Sequence, residues 1–547
     1  MKKLINSPDN YVDEALAGMS LAYQGVYKIT GANGRVVERA RRKPVGKVGV
    51  VSGGGFGHLP LFAGYVGEGL LDACAVGHVF AGPSLDDVSE SLKAADRGAG
   101  ILSVVGNYGG DTMVFGMAND MLAAESKECA AVIVADDVAS ADKDQAEKRR
   151  GVAGIVFAFK VAGAAAERGL SLGEVKAVTE RAMAGCRSIG VALSACTVPQ
   201  AGEPTFELPD DAIEMGMGIH GERGLWRGAL KSADAIAEEM VERLLADLEP
   251  AAGTRLAVLV NSLGATPLEE LYILYHKVAQ LLEAQGLKIA YSLAGEYATS
   301  MEMVRIGQRY GGRRRVARPV ECPDAMSVLE GVMAIAFTGT DIGAATLRAA
   351  RALIETKDRF NKLDAVGGDG DMGTTLATVS QALLADQAPY PTDVGESLMR
   401  IAKTISRTSG SSLSAVVLTG LVALGKAWSC RSEVGWIELA PALSNALEIM
   451  QARSKARLGD KTVLDGVELI ARSVAGLSTM DEVGSAARHA TARALAEFRG
   501  SPAVIGRLRL EPSKGIGADD PGMVALQVAV SAMAAHTSVG AAGGSDR

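Results

Sequence analysis

Two groups of residues in this sequence have the types and spacing needed for chemistry. The first is centred on His220, which lies in the run Gly-Met-Gly-Ile-His-Gly-Glu of residues 216–222. An imidazole held in such a tight, apolar loop is suited to nucleophilic or acid–base chemistry. A lone histidine in an apolar segment is more often a satisfied core residue, so this motif alone favours the structural interpretation.

The second group is a cluster of carboxylates interleaved with glycine, Asp364, Asp369 and Asp371. Three carboxylates within eight residues are unfavourable unless they are solvated or bind a metal. Mg²⁺ takes oxygen ligands and usually keeps water and phosphate oxygens in its shell. Thr374 and Thr375 follow and are placed to bond phosphate oxygens at the start of a helix. The pattern favours a magnesium–phosphate site over a calcium loop, which needs a closing glutamate, or a solvated turn.

Other polar residues follow apolar, strand-like runs. His58 ends the glycine-rich loop Ser-Gly-Gly-Gly-Phe-Gly-His of residues 52–58, in which backbone N–H groups can approach a ligand closely. The loop lacks the Lys-Ser/Thr pair of a phosphate-binding P-loop, and a tight strand-to-helix turn is an equal alternative. Asp111 follows two glycines at the end of another such run, where it either acts in chemistry or caps a helix.

The elements that must position these residues change type along the chain. Strand-like runs at residues 47–51, 100–105, 130–135 and 255–261 are followed by loops and helix-like runs. This α/β pattern places ligands at the carboxyl ends of strands. From about residue 341 to residue 540, apolar residues recur mostly at helical spacing. We therefore predict an α/β N-terminal region and an all-α C-terminal domain.

Composition excludes several classes of function. The chain has 547 residues, 48% of them hydrophobic and 22% charged, which indicates a soluble protein of two or more domains. A net charge of −8 argues against nucleic acid and anionic membranes as partners. Neither a signal peptide nor a bilayer-spanning run is visible. The six cysteines are scattered, which predicts reduced thiols in the cytoplasm and no zinc site.

Taken together, the motifs resemble those of the single-chain, ATP-dependent dihydroxyacetone kinases, over nearly the whole chain. The matching segments are residues 79–84, 107–111, 150–154, 216–222, 364–375, 459–462 and 520–522. The resemblance implies a ketose-binding α/β domain over residues 1–325, with a second lobe from about residue 190 or 250. It further implies an ATP- and Mg²⁺-binding barrel of helices over residues 338–547, and a homodimer.

The resemblance also implies roles for individual residues. His220 would add through a ring nitrogen to the ketone and form a hemiaminal, with acid–base help from His58 and Asp111. Asp111 would be the base on the attacking hydroxyl. The residues implied to line the ketose pocket are Gly55, Phe56, Gly57, Asn107 and Tyr108. Those implied to hold Mg²⁺ on ATP are Asp364, Asp369 and Asp371. Those implied to line the nucleotide pocket are Met372, Gly373, Thr374, Thr375, Ser409, Gly410, Thr462, Asp520, Pro521 and Gly522.

The chain departs from the family's usual pattern mostly around the substrate. Gly106 stands where a lysine is usual, His78 where an aspartate is usual, and Gly82 where a serine is usual. Replacing lysine by glycine opens space, so we predict a ketose larger than dihydroxyacetone, such as erythrulose or a branched pentulose. Two alternatives remain open: an FAD-AMP lyase (cyclising) activity on the same metal domain, and a ketone-binding regulatory protein.

Overall fold

The computed structural model describes residues 3–202, 204–306, 336–365, 370–454, 456–504 and 515–534. The chain divides into two units, Met1–Ala325 with Ser409–Ser412, and Met326–Thr408 with Leu413–Arg547. The functional domain limits inferred from the sequence remain a prediction.

The first unit is built on a six-stranded sheet with the strand order β1-β2-β4-β3-β5-β6. Its strands are β1 Tyr27–Thr30, β2 Val36–Arg39, β3 Gly49–Gly54, β4 Ala73–Val76, β5 Ile101–Gly106 and β6 Cys129–Val134. Strands β4, β3, β5 and β6 run parallel, whereas β1 and β2 are antiparallel additions at one edge. Every residue of β3, β4 and β5 is buried, as expected for a parallel sheet covered on both faces. The loops after these strands meet at one edge.

Helices cover this sheet, and the contact removes their apolar residues from water. The helices are α1 Tyr11–Ala22, α2 Leu85–Ala95, α3 Gly109–Ala124, α4 Ile155–Glu167 and α5 Leu172–Ala184. α2 packs against α3, and α4 packs against α5. α4 is apolar on nearly every side and, apart from the exposed Lys160, is buried from Ile155 to Ala166, so it lies in the core rather than on the surface.

A second, antiparallel sheet follows with the order β12-β7-β8-β9. Its strands are β7 Val191–Ser194, β8 Ala212–Met215, β9 Trp226–Ala229 and β12 Val304–Ile306. A parallel pair, β10 Arg255–Ser262 and β11 Lys288–Glu296, is connected by helix α7 Leu268–Ala284, and α6 Ala233–Leu248 packs on α7. His220 lies in the loop that joins β8 to β9.

The second unit is mostly helical. Its helices are α8 Gly339–Glu355, α9 Lys357–Asp364, α10 Met372–Ala385, α11 Val394–Thr408, α12 Ser412–Ala427, α13 Leu439–Ser454, α14 Val463–Ser473, α15 Met480–Phe498 and α16 Pro521–Met533. Neighbours in space follow the succession α13, α14, α15, α16, α8 and then α10 and α11. Threonine or aspartate side chains cap the N-termini of α8, α14, α15 and α16.

The predicted fold class, α/β followed by a mostly helical domain, is confirmed. The strictly all-α description of the second domain needs one correction. Two three-residue strands, β13 Ala336–Thr338 and β14 Glu433–Gly435, pair antiparallel. Such short strands carry no readable alternation of apolar residues, so the sequence pattern misses them.

In the part of the chain that the structure describes, we find no helix with the length and apolar character needed to cross a bilayer.

Candidate active and nucleotide-binding sites

Three loops after parallel strands and one loop from the second sheet form the candidate active site. His58 ends a single 3-10 turn, Phe56–His58, directly after β3. Phe80 follows β4, and Tyr108 is the residue before α3, after β5. His220 approaches from the β8–β9 loop. Ligand sites of α/β proteins lie at this carboxyl edge, where β3 separates the connections to β4 and β5.

The two histidines, 162 residues apart in sequence, are in direct contact. Their Nε2 atoms are 3.0 Å apart. The Nδ1 atom of His58 is 2.8 Å from the carbonyl oxygen of Thr299, and the Nδ1 atom of His220 is 3.0 Å from Oε1 of Glu222. Both Nδ1 partners are acceptors, so each ring carries its proton on Nδ1.

This arrangement leaves one lone pair on each Nε2 atom, and the two lone pairs face each other. Two lone pairs at 3.0 Å repel unless a proton bridges them. A proton shared between the two Nε2 atoms would remove this repulsion. Burial, followed by the neighbouring His220, lowers the pKa of His58 to about 3, so His58 is neutral in the neutral pH range and can accept a hydrogen bond.

Aromatic rings surround the imidazole of His220. The ring centroids of His58, Tyr108 and Phe80 lie 4.8, 4.9 and 5.4 Å from that of His220, each approaching edge-on. Phe80 also stacks on His58 at 4.8 Å, and its backbone has φ +57°. A positive φ is strained for an aromatic residue, and such strain concentrates at functional sites. The rings hold both imidazoles in one orientation.

Asp111 lies in the first turn of α3 with an unsatisfied oxygen. Its Oδ1 atom is buried and has no hydrogen-bond partner within the described parts of the chain. Burial raises the pKa of Asp111 to about 7. A Cβ atom on Gly82 would lie 2.6 Å from this oxygen, so the glycine leaves space in front of the carboxylate. A buried carboxyl with a pKa near neutrality is suited to act as a general base.

Two of the sequence-predicted pocket residues are committed to other contacts. The ring of Phe56 is buried in the core and packs edge-on against Tyr11, so only its backbone remains for a ligand. The amide nitrogen of Asn107 donates to the carbonyl oxygens of Glu147 and Arg149, which ties the loop after β5 to the chain before α4. Gly55 and Gly57 pack closely against Phe80, which makes them supports for the site.

The sequence-predicted nucleotide residues of the helical unit lie at helix N-termini. Met372, Gly373, Thr374 and Thr375 form the first turn of α10, Thr462 caps α14, and Asp520 caps α16, which starts with Pro521 and Gly522. A Cβ atom on Gly522 would lie 3.5 Å from Leu413 and 3.6 Å from Val463, so the first turns of α12, α14 and α16 meet. Helix N-termini offer unpaired N–H groups to phosphates. Ser409 and Gly410 lie in the loop between α11 and α12.

Asp364 and Asp371 lie at the two ends of the predicted metal loop. Asp364 Oδ2 accepts hydrogen bonds from the backbone N–H of Gly370 at 3.0 Å and of Met372 at 3.4 Å. Asp371 is the residue before α10. Asp369 lies outside the described residues. Among the described residues, no group of three or more His, Cys, Asp or Glu is arranged around a common metal position. The two carboxylates present the oxygen donors that Mg²⁺ prefers.

The caps of α14 and α16 adjoin a buried cation. Lys461, with φ +62°, directs its ammonium group to the carbonyl oxygens of Ser501 at 2.9 Å and Gly515 at 2.6 Å. Burial raises the pKa of Asp520 to about 6, although Lys461 and a hydrogen bond from Met523 oppose the shift. The lysine thus holds residues 501 and 515 near the N-terminus of α16.

Comparison with known proteins decides the family. The profile of the Dak1 domain matches residues 17–307, and the profile of the DAK2 domain matches residues 366–535. The chain belongs to the dihydroxyacetone kinase family. Both domain types of this family are present in one chain, in the order that the motifs indicated.

Several relatives match this chain over nearly their whole length and its own. The L-erythrulose kinase of Pectobacterium atrosepticum is 33% identical, over 98% of this chain and 96% of its own. The D-erythrulose kinase of Mycolicibacterium smegmatis is 32% identical, over 96% and 97%. The crystal structure of the C. freundii dihydroxyacetone kinase with AMP-PNP and Mg²⁺ is 25% identical, with a TM-score of 0.52 over 97% of this chain and 99% of its own.

Several residues of this dihydroxyacetone kinase site were not assigned roles from the sequence. Phe80 and Glu222 lie within the motifs that carried the resemblance, and their contacts with His220 appear only in the folded chain. Thr299, which orients His58, lies in a segment without any motif. Asn361 bonds the N–H of Thr374 at 3.1 Å and also lay outside the assigned residues.

Proposed function

We propose that this chain uses ATP and Mg²⁺ to phosphorylate a terminal hydroxyl of a short-chain ketose, which it holds as a hemiaminal on His220. The observation that carries the proposal is the contact between the Nε2 atoms of His220 and His58 at 3.0 Å. A ketone can use a nitrogen nucleophile and a proton donor placed side by side, because addition to its carbon requires a proton on its oxygen. Covalent capture also orients the substrate hydroxyl and so removes entropy from the later transfer.

The residues act in a defined order. The lone pair of His220 Nε2 attacks the ketone carbon, the carbonyl π pair moves to oxygen, and a proton delivered through the adjacent Nε2 atom of His58 neutralises that oxygen. Asp111, with its unsatisfied Oδ1, takes the proton of the hydroxyl that attacks phosphorus. Phe80 and Tyr108 shield the captured ketose from water.

The helical unit is proposed to bind the nucleotide. Asp364, Asp371 and, by resemblance, Asp369 hold Mg²⁺, and the first turns of α10, α14 and α16 bind phosphate oxygens through their backbone N–H groups. Mg²⁺ on ATP neutralises charge on the transferred phosphoryl group.

The preferred substrate is proposed to be longer than dihydroxyacetone. A Cβ atom on Gly106 would have Tyr108 Cδ2 at 3.4 Å and Gly151 O at 3.5 Å as its nearest neighbours, which is ordinary contact. The lysine that is usual at this position is absent, and a longer ketose is proposed to use the volume that its side chain would fill. Erythrulose is the leading candidate, as the names of two full-length relatives also suggest.

ADP release from Mg-ATP tests the proposal against a panel of dihydroxyacetone, D- and L-erythrulose, a branched pentulose and glycerol. We expect a longer ketose to have the highest kcat/KM and glycerol to be inert. If dihydroxyacetone surpasses all longer ketoses, the proposal on substrate size is wrong. Incubation with FAD and Mn²⁺ tests the lyase alternative. If cyclic riboflavin phosphate forms and no ketose is turned over, the proposed kinase function is wrong and the lyase function is correct.

Activity is expected to rise with pH through neutrality. Asp111 must be ionised to act as a base, and burial raises its pKa to about 7, so kcat/KM should fall about tenfold per pH unit below that value. His58, with a pKa of about 3, should add no second step in the neutral range. The check is kcat/KM for the best ketose from pH 5 to 9 at saturating Mg-ATP. A profile that is flat or falls as pH rises through 7 would contradict this assignment.

Replacing Asp364 by asparagine is expected to weaken metal use. The carboxylate organises the metal loop through two backbone N–H groups, and its charge is needed opposite Mg²⁺. We expect the Mg²⁺ concentration for half-maximal turnover to rise by about 10-fold or more. Asp358→Asn, an exposed aspartate on the same helix α9, is the matched control and should leave the metal requirement unchanged. If both variants reach half-maximal turnover at the same Mg²⁺ concentration, Asp364 does not take part in metal binding.

We also propose that the chain works as a homodimer in the cytoplasm. Among the described residues, Cys74, Cys129, Cys186, Cys196 and Cys430 form no disulfide bond, which supports a reducing compartment. Light scattering coupled to size-exclusion chromatography measures the assembly directly, and a monomeric mass for active enzyme would refute the dimer.

A further inference from the structure

A short segment after β11, residues 297–301, is hydrogen-bonded to both histidine loops of the candidate active site. We call it the bridging segment. The proposed reaction uses only the carbonyl oxygen of Thr299 from this segment. Thr299 and Ser300 are buried, with 5% and 0% of their surface exposed. A buried segment that bonds two loops from different sheets can fix the separation of those loops.

On one side, the bridging segment is bonded to the loop of His58. The backbone N–H of Thr299 donates to the carbonyl oxygen of His58 at 3.3 Å, and the ring Nδ1 of His58 is 2.8 Å from the carbonyl oxygen of Thr299. The hydroxyl of Thr299 donates to the carbonyl oxygen of Leu59 at 2.6 Å. The N–H of Met301 donates to the carbonyl oxygen of Gly57 at 2.9 Å. Both the main chain and the imidazole of His58 are thus fixed relative to this segment.

On the other side, the hydroxyl of Ser300 reaches the loop of His220. It donates to the carbonyl oxygen of Ile219, the residue directly before His220. The nitrogen of the same peptide unit, the backbone N–H of His220, donates to Oε2 of Glu222 at 2.8 Å. A peptide unit is planar, so bonds to its oxygen and to its nitrogen fix the plane from which the His220 side chain starts.

The bridging segment is anchored to the carboxyl end of β10. Asn261, which is 2% exposed, accepts through Oδ1 from the N–H groups of Tyr297 at 2.8 Å and Ala298 at 2.9 Å. Its Nδ2 atom donates to the carbonyl oxygen of Ala298 at 2.7 Å. The N–H of Ser300 donates to the carbonyl oxygen of Leu263 at 2.8 Å. The segment is therefore held by the scaffold as well as by the two histidine loops.

We infer that Ser300 is a positioning residue for capture of the ketone, because its hydroxyl sets the place of His220 relative to His58. The inference rests on the proposed function and deepens it. Ser300 acts through the peptide of Ile219 rather than by touching the ketose. The same segment bonds His58 directly, so the 3.0 Å separation of the two Nε2 atoms depends on one fixed reference.

Removing the hydroxyl of Ser300 takes this donor away from the carbonyl oxygen of Ile219. Ile219 is 2% exposed, and a buried acceptor that loses its partner is unfavourable, so the peptide shifts toward another donor. A displacement of about 1 Å between positioned reacting groups slows their reaction by about 10²-fold. The nucleophilic nitrogen and the proton path through His58 are both still present, so the loss is one of geometry.

The variant Ser300→Ala tests the inference in the full-length protein. Each protein is loaded with erythrulose labelled with ¹³C at the carbonyl, unbound ketose is removed, and the carbonyl and tetrahedral signals of the bound ketose are compared by NMR. We expect the tetrahedral fraction to fall about tenfold and kcat/KM by about 10²-fold. The rise of kcat/KM with pH through about 7 should stay, because Asp111 is unchanged. A merely structural serine would lower the amount of folded protein, but the ketose that this protein binds would remain tetrahedral.

The matched control is Ser262→Ala. Ser262 is a fully buried serine at the end of β10, and its hydroxyl oxygen accepts from the N–H groups of Gly264 at 3.0 Å and Thr266 at 3.1 Å. The change removes the same hydroxyl group at a comparable depth and should leave the tetrahedral fraction at its wild-type value. Circular dichroism verifies that each variant is folded.

An unchanged tetrahedral fraction in Ser300→Ala, or an equal loss in Ser262→Ala, would overturn the inference. If Ser300→Ala does not fold, Ser300→Cys replaces it, because a thiol is a weaker donor than a hydroxyl. The sample is kept reduced, since Sγ of Cys196 lies 3.9 Å from Oγ of Ser300. This variant should also give a tetrahedral fraction below that of the wild type, and an equal fraction would overturn the inference.

The inference and the proposed function fail in different ways. If wild-type protein releases ADP with a ketose but the bound ketose gives no tetrahedral signal, the hemiaminal in the proposed function is wrong, and the inference falls with it. If the wild type gives the tetrahedral signal and Ser300→Ala leaves it unchanged, the inference alone is wrong and the kinase proposal is intact.

Discussion

Replacing His220 by alanine is expected to reduce kcat/KM for every ketose by about 10⁴-fold or more, because the variant loses the nucleophile that captures the ketone. ATP binding in the helical unit should persist, since no part of that unit supplies the imidazole. The measurement is ketose-dependent ADP release, followed over several hours for the variant.

The matched control for this experiment is His276→Ala. His276 is an exposed histidine on α7 that contacts Gln280. Its variant should retain wild-type kinetics. If His220→Ala keeps a tenth of wild-type kcat/KM, capture by this ring is not part of the mechanism, and the ketose is held by hydrogen bonds alone.

Replacing Asp111 by asparagine is expected to lower kcat by about 10³-fold, within the range for loss of a general base. The ketose should still be captured, because His220, His58 and Glu222 are unchanged. The prediction is therefore a split: the tetrahedral ¹³C signal of the bound ketose persists while turnover is lost. The rise of kcat/KM with pH through about 7 should also disappear.

Asp120→Asn provides the matched control, because Asp120 is an exposed aspartate on the same helix, α3. It should leave both kcat and the pH profile unchanged. A variant at Asp111 with raised KM and normal kcat would assign the residue to substrate binding and leave the attacking hydroxyl without a base.

Much of the fold could be predicted because the strands are short, apolar runs followed by small or polar loop residues. The runs at 100–105, 130–135 and 255–261 correspond to β5, β6 and β10 with ends that differ by one residue. The run at 47–51 is shifted, since β3 covers Gly49–Gly54 and takes in part of the glycine loop. A fully buried parallel strand tolerates glycine where its neighbours approach closely, and apolar pattern alone cannot mark that end.

The candidate site was predictable as a set of motifs but not as a geometry. His58 and His220 stood out by their glycine neighbours, yet their contact joins residues from two different sheets. The role of Thr299 depends on one backbone carbonyl, which every residue type has. Phe56 appeared to belong to the pocket by its position in the loop, whereas packing against Tyr11 turns its ring into the core.

For the candidate nucleotide-binding residues, the individual side chains could be named in advance, but the packing that brings them together could not. The family resemblance implied Thr462 and Asp520 as nucleotide-pocket residues, and in the structure both cap helix N-termini, where threonine and aspartate are favoured. The first turns of α12, α14 and α16 meet through packing of apolar residues such as Leu413 and Val463. The sequence does not reveal this contact, because many apolar residues could make the same packing.

The most direct test of the central claim compares erythrulose with erythritol, which has the same number of carbon atoms and hydroxyl groups at both ends but no carbonyl. ADP release by the full-length protein is measured with each compound at equal concentration and saturating Mg-ATP. The account predicts turnover with at least one erythrulose enantiomer at a rate about 10³-fold or more above that with erythritol. Equal rates with the ketose and the alcohol would show that no carbonyl is captured and would contradict the account.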